Sequence, residues 1–183
     1  AGLEAASLAE RTVVVVWGDH DAGLEWTPRL AALAGRRHDP AGWYLSQRVP
    51  LLIRVPGAAG LAGESDLPAG HQDVAPTVLA LLGVDPAPFP FVGRNLLGSP
   101  GSGPVVGEYQ CWQDGGHLFL QGTGQLEDGD CFELPGLRAV EPAACAAGFA
   151  QGRRQVEVSR LVLEHDLQGE IGERQRASAG CGT

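Results

Sequence analysis

A run of β-branched residues, followed closely by aspartate and histidine, constrains the fold of this chain more than any other sequence feature. Residues 12–17 read TVVVVW, and Gly18, Asp19, His20 and Asp21 follow without a break. Four consecutive valines without polar alternation are typical of a strand that is buried on both faces, as in a parallel sheet between helices. We therefore predict such a strand, with two carboxylates and an imidazole at its carboxyl end.

The carboxyl end of such a strand is where α/β sheets bind ligands, because the loops converge there. Gly18 permits a sharp turn of the backbone and leaves room for a close ligand. A carboxylate oxygen and an imidazole nitrogen from adjacent residues suit a divalent ion such as Zn²⁺ or Mn²⁺. Asp19 and His20 are therefore the predicted metal ligands. The alternative is a loop-capping acid beside a surface histidine.

Two further residues are candidates for a supporting role. Asp21 could orient His20 without contacting the metal itself, and a simple turn acid is the alternative. His71 is a candidate for the same role or for substrate contact, and an ordinary loop histidine is the alternative. The sequence leaves both questions open.

The order of the elements predicts an α/β fold, with a layered mixed or parallel sheet between helices. Residues 48–55, RVPLLIRV, predict a second strand. Residues 73–84, DVAPTVLALLGV, predict a helix with Asp73 as its N-cap and Gly83 at its C-terminal end. One apolar stripe along this helix consists of Val74, Val78, Leu81 and Leu82.

From about residue 85 the sequence becomes rich in turns. Three short segments, VVGEYQ, HLFLQG and CFELPG, are separated by Gly and Asp and predict antiparallel hairpins. Residues 155–167 predict a final amphipathic helix with Val158, Leu161 and Val162 on one face. The predicted division is an α/β portion at residues 1–100, the hairpins and terminal helix of the same domain at 101–170, and a frayed tail at 171–183.

Charge, hydropathy and cysteine spacing exclude several classes of function. The net charge of −9, from 22 acidic and 13 basic residues, argues against a nucleic-acid partner. No apolar run approaches the roughly 20 residues of a membrane helix, so we expect no membrane-spanning segment in this chain. Cys111, Cys131, Cys145 and Cys181 do not have the spacing of a zinc cluster. Disulfides and free thiols both remain open.

Four segments, in order, resemble the sulfatase-like branch of the alkaline phosphatase superfamily. TVVVVWGDHDAG is similar to the metal-binding strand of that branch, and QRVPLLIRVPG to the core strand that follows. HQDVAPTVLALLGV is similar to the next helix, and FVGRNLL to the segment after it. Within the branch, the chain most resembles the phosphoglycerol transferases, of the lipoteichoic-acid synthase and membrane-oligosaccharide glycerophosphotransferase type. The resemblance covers about residues 1–100.

This resemblance implies a metal-dependent transferase or hydrolase of phosphate or sulfate esters. Mn²⁺ is the expected cofactor, with Zn²⁺, Ca²⁺ or Mg²⁺ as alternatives, and the family's metal ligands carry over onto Asp19 and His20. The nucleophile of the branch is a threonine, serine or formylglycine that is expected upstream of Ala1, because Thr12 and Thr77 do not match its position. We therefore expect no catalytic nucleophile in this chain, and no activity from the chain alone.

The resemblance also implies partners and a location. The expected partners are a phospholipid or phosphoglycan substrate and the rest of the same catalytic domain. The expected location is the extracytoplasmic face of the cell membrane, in the periplasm or cell envelope, with anchoring through upstream segments. The alternatives are a fragment of an arylsulfatase or phosphoethanolamine transferase, a non-catalytic binding module of the envelope, and an unrelated α/β domain with an accidental Asp-His pair.

Overall fold

The computed structural model describes residues 2–98, 103–107 and 110–179, which divide into two compact units. The first unit extends to Asp66 and the second begins at Leu67. Helices and strands occur in both units, so the mixed α and β composition expected from the sequence is confirmed. The predicted domain boundaries at residues 100 and 170 stay a prediction.

The described residues of the first unit form three short helices and two strands. The helices Pro28–Leu33 and Pro40–Ser46 begin alike: the side chain of Thr27 accepts a hydrogen bond from the Leu30 N–H, and that of Asp39 accepts one from the Gly42 N–H. Proline follows each cap, where its missing N–H costs nothing. The elements are α1 Gly2–Ala5, β1 Val14–Trp17, α2 Pro28–Leu33, α3 Pro40–Ser46 and β2 Leu51–Arg54, with 3₁₀ turns at Ala9–Arg11 and Ala59–Leu61.

Strands β1 and β2 form an antiparallel ribbon, in which Val14 lies opposite Arg54 and Trp17 lies opposite Leu51. Val16 is 52% exposed and Trp17 is 47% exposed. The prediction that residues 12–17 are buried on both faces in a parallel arrangement is therefore wrong for this unit. In the described part of the chain this sheet has two strands, and a ribbon of that size leaves its apolar side chains open to solvent. The layered sheet between helices is not confirmed.

The described residues of the second unit form a five-stranded antiparallel sheet in which the strands neighbour one another in chain order. The predicted antiparallel hairpins are thus confirmed, although the strands Trp112–Gln113 and Arg138–Val140 were not predicted. Residues 99–102 of the turn-rich connector, and Glu108 and Tyr109 of VVGEYQ, lie outside the described residues. The elements are α4 Val74–Leu81, β3 Val105–Val106, β4 Trp112–Gln113, β5 His117–Leu120, β6 Asp130–Glu133, β7 Arg138–Val140, α5 Ala146–Glu164 and α6 Gln168–Ala179, with 3₁₀ turns at His71–Asp73, Leu126–Asp128 and Pro142–Cys145.

The core of the second unit is a row of paired residues that crosses this sheet. Trp112 lies opposite Phe119, Phe119 opposite Cys131, and Cys131 opposite Val140. The rings of Trp112 and Phe119 stack with their centroids 5.9 Å apart. Phe149 of α5 meets Phe119 edge-on, at 5.3 Å. The row and the helix therefore bury large aromatic surfaces against each other.

Helix α5 approaches the sheet closely at two buried glycines, Gly148 and Gly152. A Cβ atom added to Gly148 would lie 2.2 Å from Cη2 of Trp112. Just before the helix, Cys145 forms a disulfide with Cys131 of β6. The cysteines of the described residues thus form one bridge, and Cys111 is a buried thiol. Cys181 lies outside the described residues.

The C-terminal helices differ from their predicted positions. Helix α5 begins at Ala146 rather than at residue 155, and Val158 and Leu161 of its predicted apolar face are exposed. The reason is that the first half of the helix, around Gly148, carries the contact with the sheet. Residues 171–179, for which we predicted a frayed tail, are helical; residues 180–183 lie outside the described range. None of the described helices is long and apolar enough to cross a membrane.

Helix α4 buries a different face from the predicted one. Leu82 of the predicted stripe is exposed, whereas Pro76 and Thr77 are buried. The Asp73 carboxylate does not cap the helix as predicted; it accepts hydrogen bonds from the backbone N–H groups of Gly70, at 2.9 Å, and Arg94, at 2.8 Å. Loop contacts of Asp73, rather than helix periodicity, therefore set the orientation of α4.

Thr77 completes the same arrangement from inside the helix. Its hydroxyl donates to the carbonyl oxygen of Asp73, at 2.6 Å, and accepts from the N–H of Leu96, at 2.9 Å. Gly93 passes so close to Gln72 that an added Cβ would lie 1.9 Å from the Gln72 carbonyl oxygen. The DVAPT motif thus binds the segment GRNL that follows it in the chain.

Candidate functional site

The candidate site begins where β1 ends, at Gly18. Its N–H donates to the carbonyl oxygen of Pro50, at 3.1 Å, which continues the β1–β2 pairing by one residue. A Cβ atom added to Gly18 would lie 2.8 Å from Cβ of Val49. Glycine is therefore required here by the close approach of Val49, whereas the sequence suggested that it makes room for a ligand.

Asp19 and His20 project from the first turn after the strand, with side chains that are 86% and 78% exposed. Oδ1 of Asp19 accepts a hydrogen bond from the backbone N–H of His20, at 3.1 Å. The same oxygen lies 3.7 Å from Nε2 of His20. The structure thus brings the two predicted metal ligands together, with a carboxylate oxygen and a ring nitrogen close to each other.

The ring of His20 is oriented by its other nitrogen. Nδ1 lies 2.6 Å from the backbone carbonyl oxygen of Asp21. A carbonyl oxygen can only accept, so Nδ1 carries the proton and the neutral ring has its lone pair on Nε2. Histidines that bind metals commonly donate their second N–H to a carbonyl or a carboxylate. His20 therefore has the tautomer that a metal at Nε2 requires.

The distance between the two ligand atoms fits a shared divalent ion. Metal bonds from imidazole nitrogen and carboxylate oxygen are about 2.0–2.2 Å long, so two ligands of one ion lie at most about 4 Å apart. The 3.7 Å between Asp19 Oδ1 and His20 Nε2 satisfies this limit. Catalytic zinc sites use about three protein ligands, and no group of three or more His, Cys, Asp or Glu side chains suited to a metal occurs among the described residues.

The surroundings of His20 also raise its pKa above the ordinary value of 6.5. The main cause is the hydrogen bond to the carbonyl oxygen of Asp21, and the negative charge of Asp19 adds to it. Both interactions favour the protonated ring. A proton therefore competes with a metal for Nε2 up to a higher pH than at an unperturbed histidine.

Asp21 supports His20 through its backbone. Its carboxylate oxygen Oδ2 accepts from the N–H of Gly23, at 3.1 Å, and Gly23 has a φ of 61°, which glycine adopts without strain. The carboxylate of Asp21 therefore closes a tight turn, as the turn-acid interpretation expected. The carbonyl oxygen of the same residue holds the His20 ring.

His71 lies in the 3₁₀ turn His71–Asp73, in the second unit. Its side chain is exposed. Asp19, His20 and Asp21 all lie in the first unit. The predicted role of His71 in orienting ligands or contacting substrate stays a prediction.

An open groove of about 410 Å³ lies in the first unit beside α3, between two tryptophans. Nε2 of His38 lies 2.7 Å from the carbonyl oxygen of Trp26, which fixes one wall of the groove. Isolated tryptophans in the sequence gave no signal for it, because the groove depends on how α3 packs. Its lining consists of Trp26, His38, Asp39, Pro40 and Trp43.

Comparison with known proteins gives a consistent relationship. Residues 1–84 match the family model described as Sulfatase. The chain is 35% identical over 96 residues to lipoteichoic acid synthase 1 of Bacillus subtilis (strain 168), which covers 52% of this chain and 15% of that protein. It is 31% identical over 105 residues to the lipoteichoic acid synthase of Staphylococcus aureus (strains USA300 and NCTC 8325 / PS 47), which covers 57% of this chain and 16% of that protein.

The chain therefore spans less than a fifth of the length of these curated relatives. The matched region contains β1, the Asp19–His20 pair, β2 and α4. The resemblance to the sulfatase family and to lipoteichoic acid synthases, predicted from the four sequence segments, is confirmed.

Proposed function

Because residues 1–84 match the family model described as Sulfatase, we propose that this chain is the metal-binding C-terminal portion of a phosphoglycerol transferase or phosphodiesterase. Its substrates are phosphate esters of envelope lipids or glycans. The observation that carries the proposal is the 3.7 Å approach of Asp19 Oδ1 to His20 Nε2, with Nδ1 of His20 bound to a carbonyl oxygen. The similarity to proteins named lipoteichoic acid synthases supports phosphoglycerol transfer over sulfate-ester hydrolysis.

Asp19 and His20 would hold a divalent ion, with Mn²⁺ as the proposed metal and Zn²⁺, Ca²⁺ or Mg²⁺ as alternatives. Such an ion stabilises negative charge on phosphoryl oxygens and lowers the pKa of a bound hydroxyl. The role of this chain is to hold the two ligand atoms in place. Asp21 keeps the proton of His20 on Nδ1, so that Nε2 stays available as a ligand.

The nucleophile and the remaining metal ligands come from residues outside this chain. Thr77 is 1% exposed and its hydroxyl is engaged on both sides by backbone groups, so it cannot attack a substrate. Two protein ligands bind a divalent ion weakly, since stable sites need three or four. Alone, the chain should therefore bind metal weakly and catalyse nothing.

The exposed faces of the β1–β2 ribbon agree with such a division of the site. Val16 and Leu52 lie opposite each other, and both are more than half exposed. Covering the apolar side chains of a strand with a further layer of structure stabilises the fold. In the complete protein we expect this ribbon to be part of a layered sheet between helices, with Asp19 and His20 at its edge.

An extracytoplasmic location fits the second unit. The disulfide between Cys131 and Cys145 is a bond that persists in oxidising compartments and is rare in the cytosol. The proposed substrates, phosphate esters of lipids or glycans, belong to the cell envelope. The net charge of −9 disfavours a nucleic acid as partner. We also propose that segments outside this chain anchor the complete protein to the cell membrane.

The test is metal-dependent activity of the full-length protein. Asp19→Ala and His20→Ala should each reduce Mn²⁺-dependent release of glycerol phosphate from phosphatidylglycerol by at least about 100-fold, because each removes a ligand of the ion. His38→Ala is the matched control and should retain activity, since the His38 ring binds the Trp26 carbonyl oxygen and is not one of the proposed ligands. Full activity in both ligand variants would refute the proposal, as would robust turnover by the 183-residue chain alone.

A further inference from the structure

We propose that Gln47 is a positioning residue for His20. Its side-chain amide connects Trp43 of α3 to the carboxylate of Asp21, and it thereby fixes the residue whose carbonyl oxygen holds the imidazole. This role rests on the proposed function, because it is the metal-binding form of His20 that Gln47 maintains.

The amide of Gln47 faces an acceptor at one end and a donor at the other. In the orientation that these neighbours favour, its nitrogen donates to Oδ2 of Asp21 and its oxygen accepts from Nε1 of Trp43, at 3.3 Å, while the Ser46 hydroxyl donates to the carbonyl oxygen of Trp43, at 2.6 Å. The opposite orientation would set the amide oxygen against the carboxylate and the amide nitrogen against the indole N–H. Donor and acceptor matching therefore determines the orientation.

Asp21 accepts hydrogen bonds from two donors through its carboxylate, and it restricts the His20 ring through its carbonyl oxygen. Its carboxylate accepts from the Gly23 N–H and from the Gln47 amide, and its carbonyl oxygen accepts from Nδ1 of His20. Because the carboxylate and the carbonyl belong to one residue, fixing the first restricts the direction of the second. The hydrogen bonds thus run from Trp43 through Gln47 and Asp21 to His20.

The His20 ring needs this support because packing does not supply it. Its side chain is 78% exposed, so few van der Waals contacts restrict its rotation. Without the carbonyl oxygen of Asp21, either ring nitrogen could carry the proton, and only the Nδ1–H form offers Nε2 to a metal. Loss of such an outer hydrogen bond typically lowers metal affinity 10–100-fold.

Helix α3 gives Gln47 a fixed base. Ala41 and Leu45 of this helix are among the most buried residues of the first unit, and Asp39 caps its N-terminus. Gln47 follows directly after the helix, four residues beyond Trp43, a spacing that places the two side chains on the same face. The amide is therefore attached to a packed element, whereas Asp19 and His20 are exposed.

The decisive measurement is the tautomer of His20 in the metal-free chain. ¹⁵N chemical shifts of the imidazole, recorded at a pH well above its pKa, report which nitrogen carries the proton. The chain should show the Nδ1–H form, and Gln47→Leu, which keeps the side-chain volume and removes the amide, should show a mixture of both forms. Gln151→Leu, at an exposed position of α5, is the matched control and should leave the His20 tautomer unchanged.

A titration with Mn²⁺ tests the consequence for metal binding. Paramagnetic broadening of the backbone signals of residues 18–23 should require about 10-fold more Mn²⁺ in Gln47→Leu than in the unmodified chain. Trp43→Phe removes the indole N–H together with part of the ring but leaves the Gln47 amide in place, and it should shift both readouts in the same direction by a smaller amount. If Gln47→Leu does not fold, Trp43→Phe decides the question.

The outcomes separate this role from the proposed function. An unchanged Nδ1–H tautomer and unchanged Mn²⁺ dependence in a folded Gln47→Leu variant would overturn the role of Gln47 and leave the metal pair intact. Unchanged Mn²⁺ broadening in Asp19→Ala would instead overturn the metal pair. In that case the tautomer measurement alone would still confirm or overturn the positioning of His20 by Gln47.

Discussion

At the scale of single residues, the direction of the His20 ring determines what the Asp19–His20 pair can bind. Nδ1 is held at 2.6 Å from the Asp21 carbonyl oxygen, and Nε2 lies 3.7 Å from Oδ1 of Asp19. These two atoms would therefore be in place for the proposed ion before it binds. Whether Nε2 of His20 can bind a metal then depends on the protonation state of the ring.

Metal binding by this pair should depend on pH in a defined direction. The hydrogen bond to Asp21 and the charge of Asp19 raise the pKa of His20 above 6.5, and a metal binds only the deprotonated Nε2. Mn²⁺ affinity should therefore be constant above the raised pKa and fall about tenfold for each pH unit below it. Titrations at about pH 8, 7, 6 and 5 would measure this, with His20→Ala as the control that lacks the dependence. A constant affinity over this range would contradict the role of His20.

Gly18→Ala should destabilise the first unit, because its Cβ would lie 2.8 Å from Cβ of Val49. Neither atom is at the end of a flexible side chain, so the backbone must move, and overpacking of this kind costs about 1–3 kcal/mol. Urea denaturation would measure the loss. Gly60→Ala is the control, since no atom lies within 4 Å of its added Cβ, and an equal effect in both variants would refute the explanation.

At the scale of elements, the contact of α5 with the sheet organises the second unit. Trp112, Phe119 and Cys131 form a row across three strands, and α5 reaches this row through Gly148 and through the Cys131–Cys145 disulfide. Two different constraints, one of packing and one covalent, therefore hold the same helix. Each can be removed separately.

Gly148→Ala tests the packing constraint. The new methyl group would lie 2.2 Å from the Trp112 ring, and the helix would have to move away from the sheet. We expect a loss of about 1–3 kcal/mol, reduced by the better helix propensity of alanine, which is worth up to about 1 kcal/mol. Gly169→Ala in α6, which meets no atom within 4 Å, should be neutral or stabilising. Thermal unfolding of the two variants would distinguish these effects, and a stabilised Gly148→Ala would contradict the close approach.

The double variant Cys131→Ala/Cys145→Ala tests the covalent constraint. The bridge closes a loop with a sequence separation of 14 residues, and cross-links of this length stabilise by about 3 kcal/mol. Denaturant unfolding should show a loss of about that size, and dithiothreitol should destabilise the unmodified chain but not the double variant. Equal stability of the oxidised and reduced chain would show that the bridge does not contribute.

At the scale of the whole molecule, local chemistry was predictable from the sequence and burial was not. The Asp19–His20 pair and the antiparallel hairpins followed from residue types and turn spacing. The exposed faces of β1 did not, because burial of Val16 and Trp17 depends on which elements lie beside the strand. Gly148 and Gln47 were missed for a related reason: each acts through a contact with a residue that no periodicity in the sequence indicates.

The proposed division of the metal site between this chain and residues outside it unites these observations. It accounts for two ligands in place of three or four, for exposed valine and leucine on the β1–β2 ribbon, and for a match that spans 15–16% of the relatives' length. It also predicts weak metal binding at a defined place. This division requires that Asp19 and His20 bind a divalent ion.

A residue-by-residue map of Mn²⁺ broadening over the 183-residue chain is the direct test of this binding. We expect the signals of Asp19, His20 and Asp21 to broaden at the lowest Mn²⁺ concentration, and this preference to disappear in both Asp19→Ala and His20→Ala. Broadening that begins instead at other acidic positions, such as Glu127 and Asp128, or that is unchanged in both variants, would contradict it.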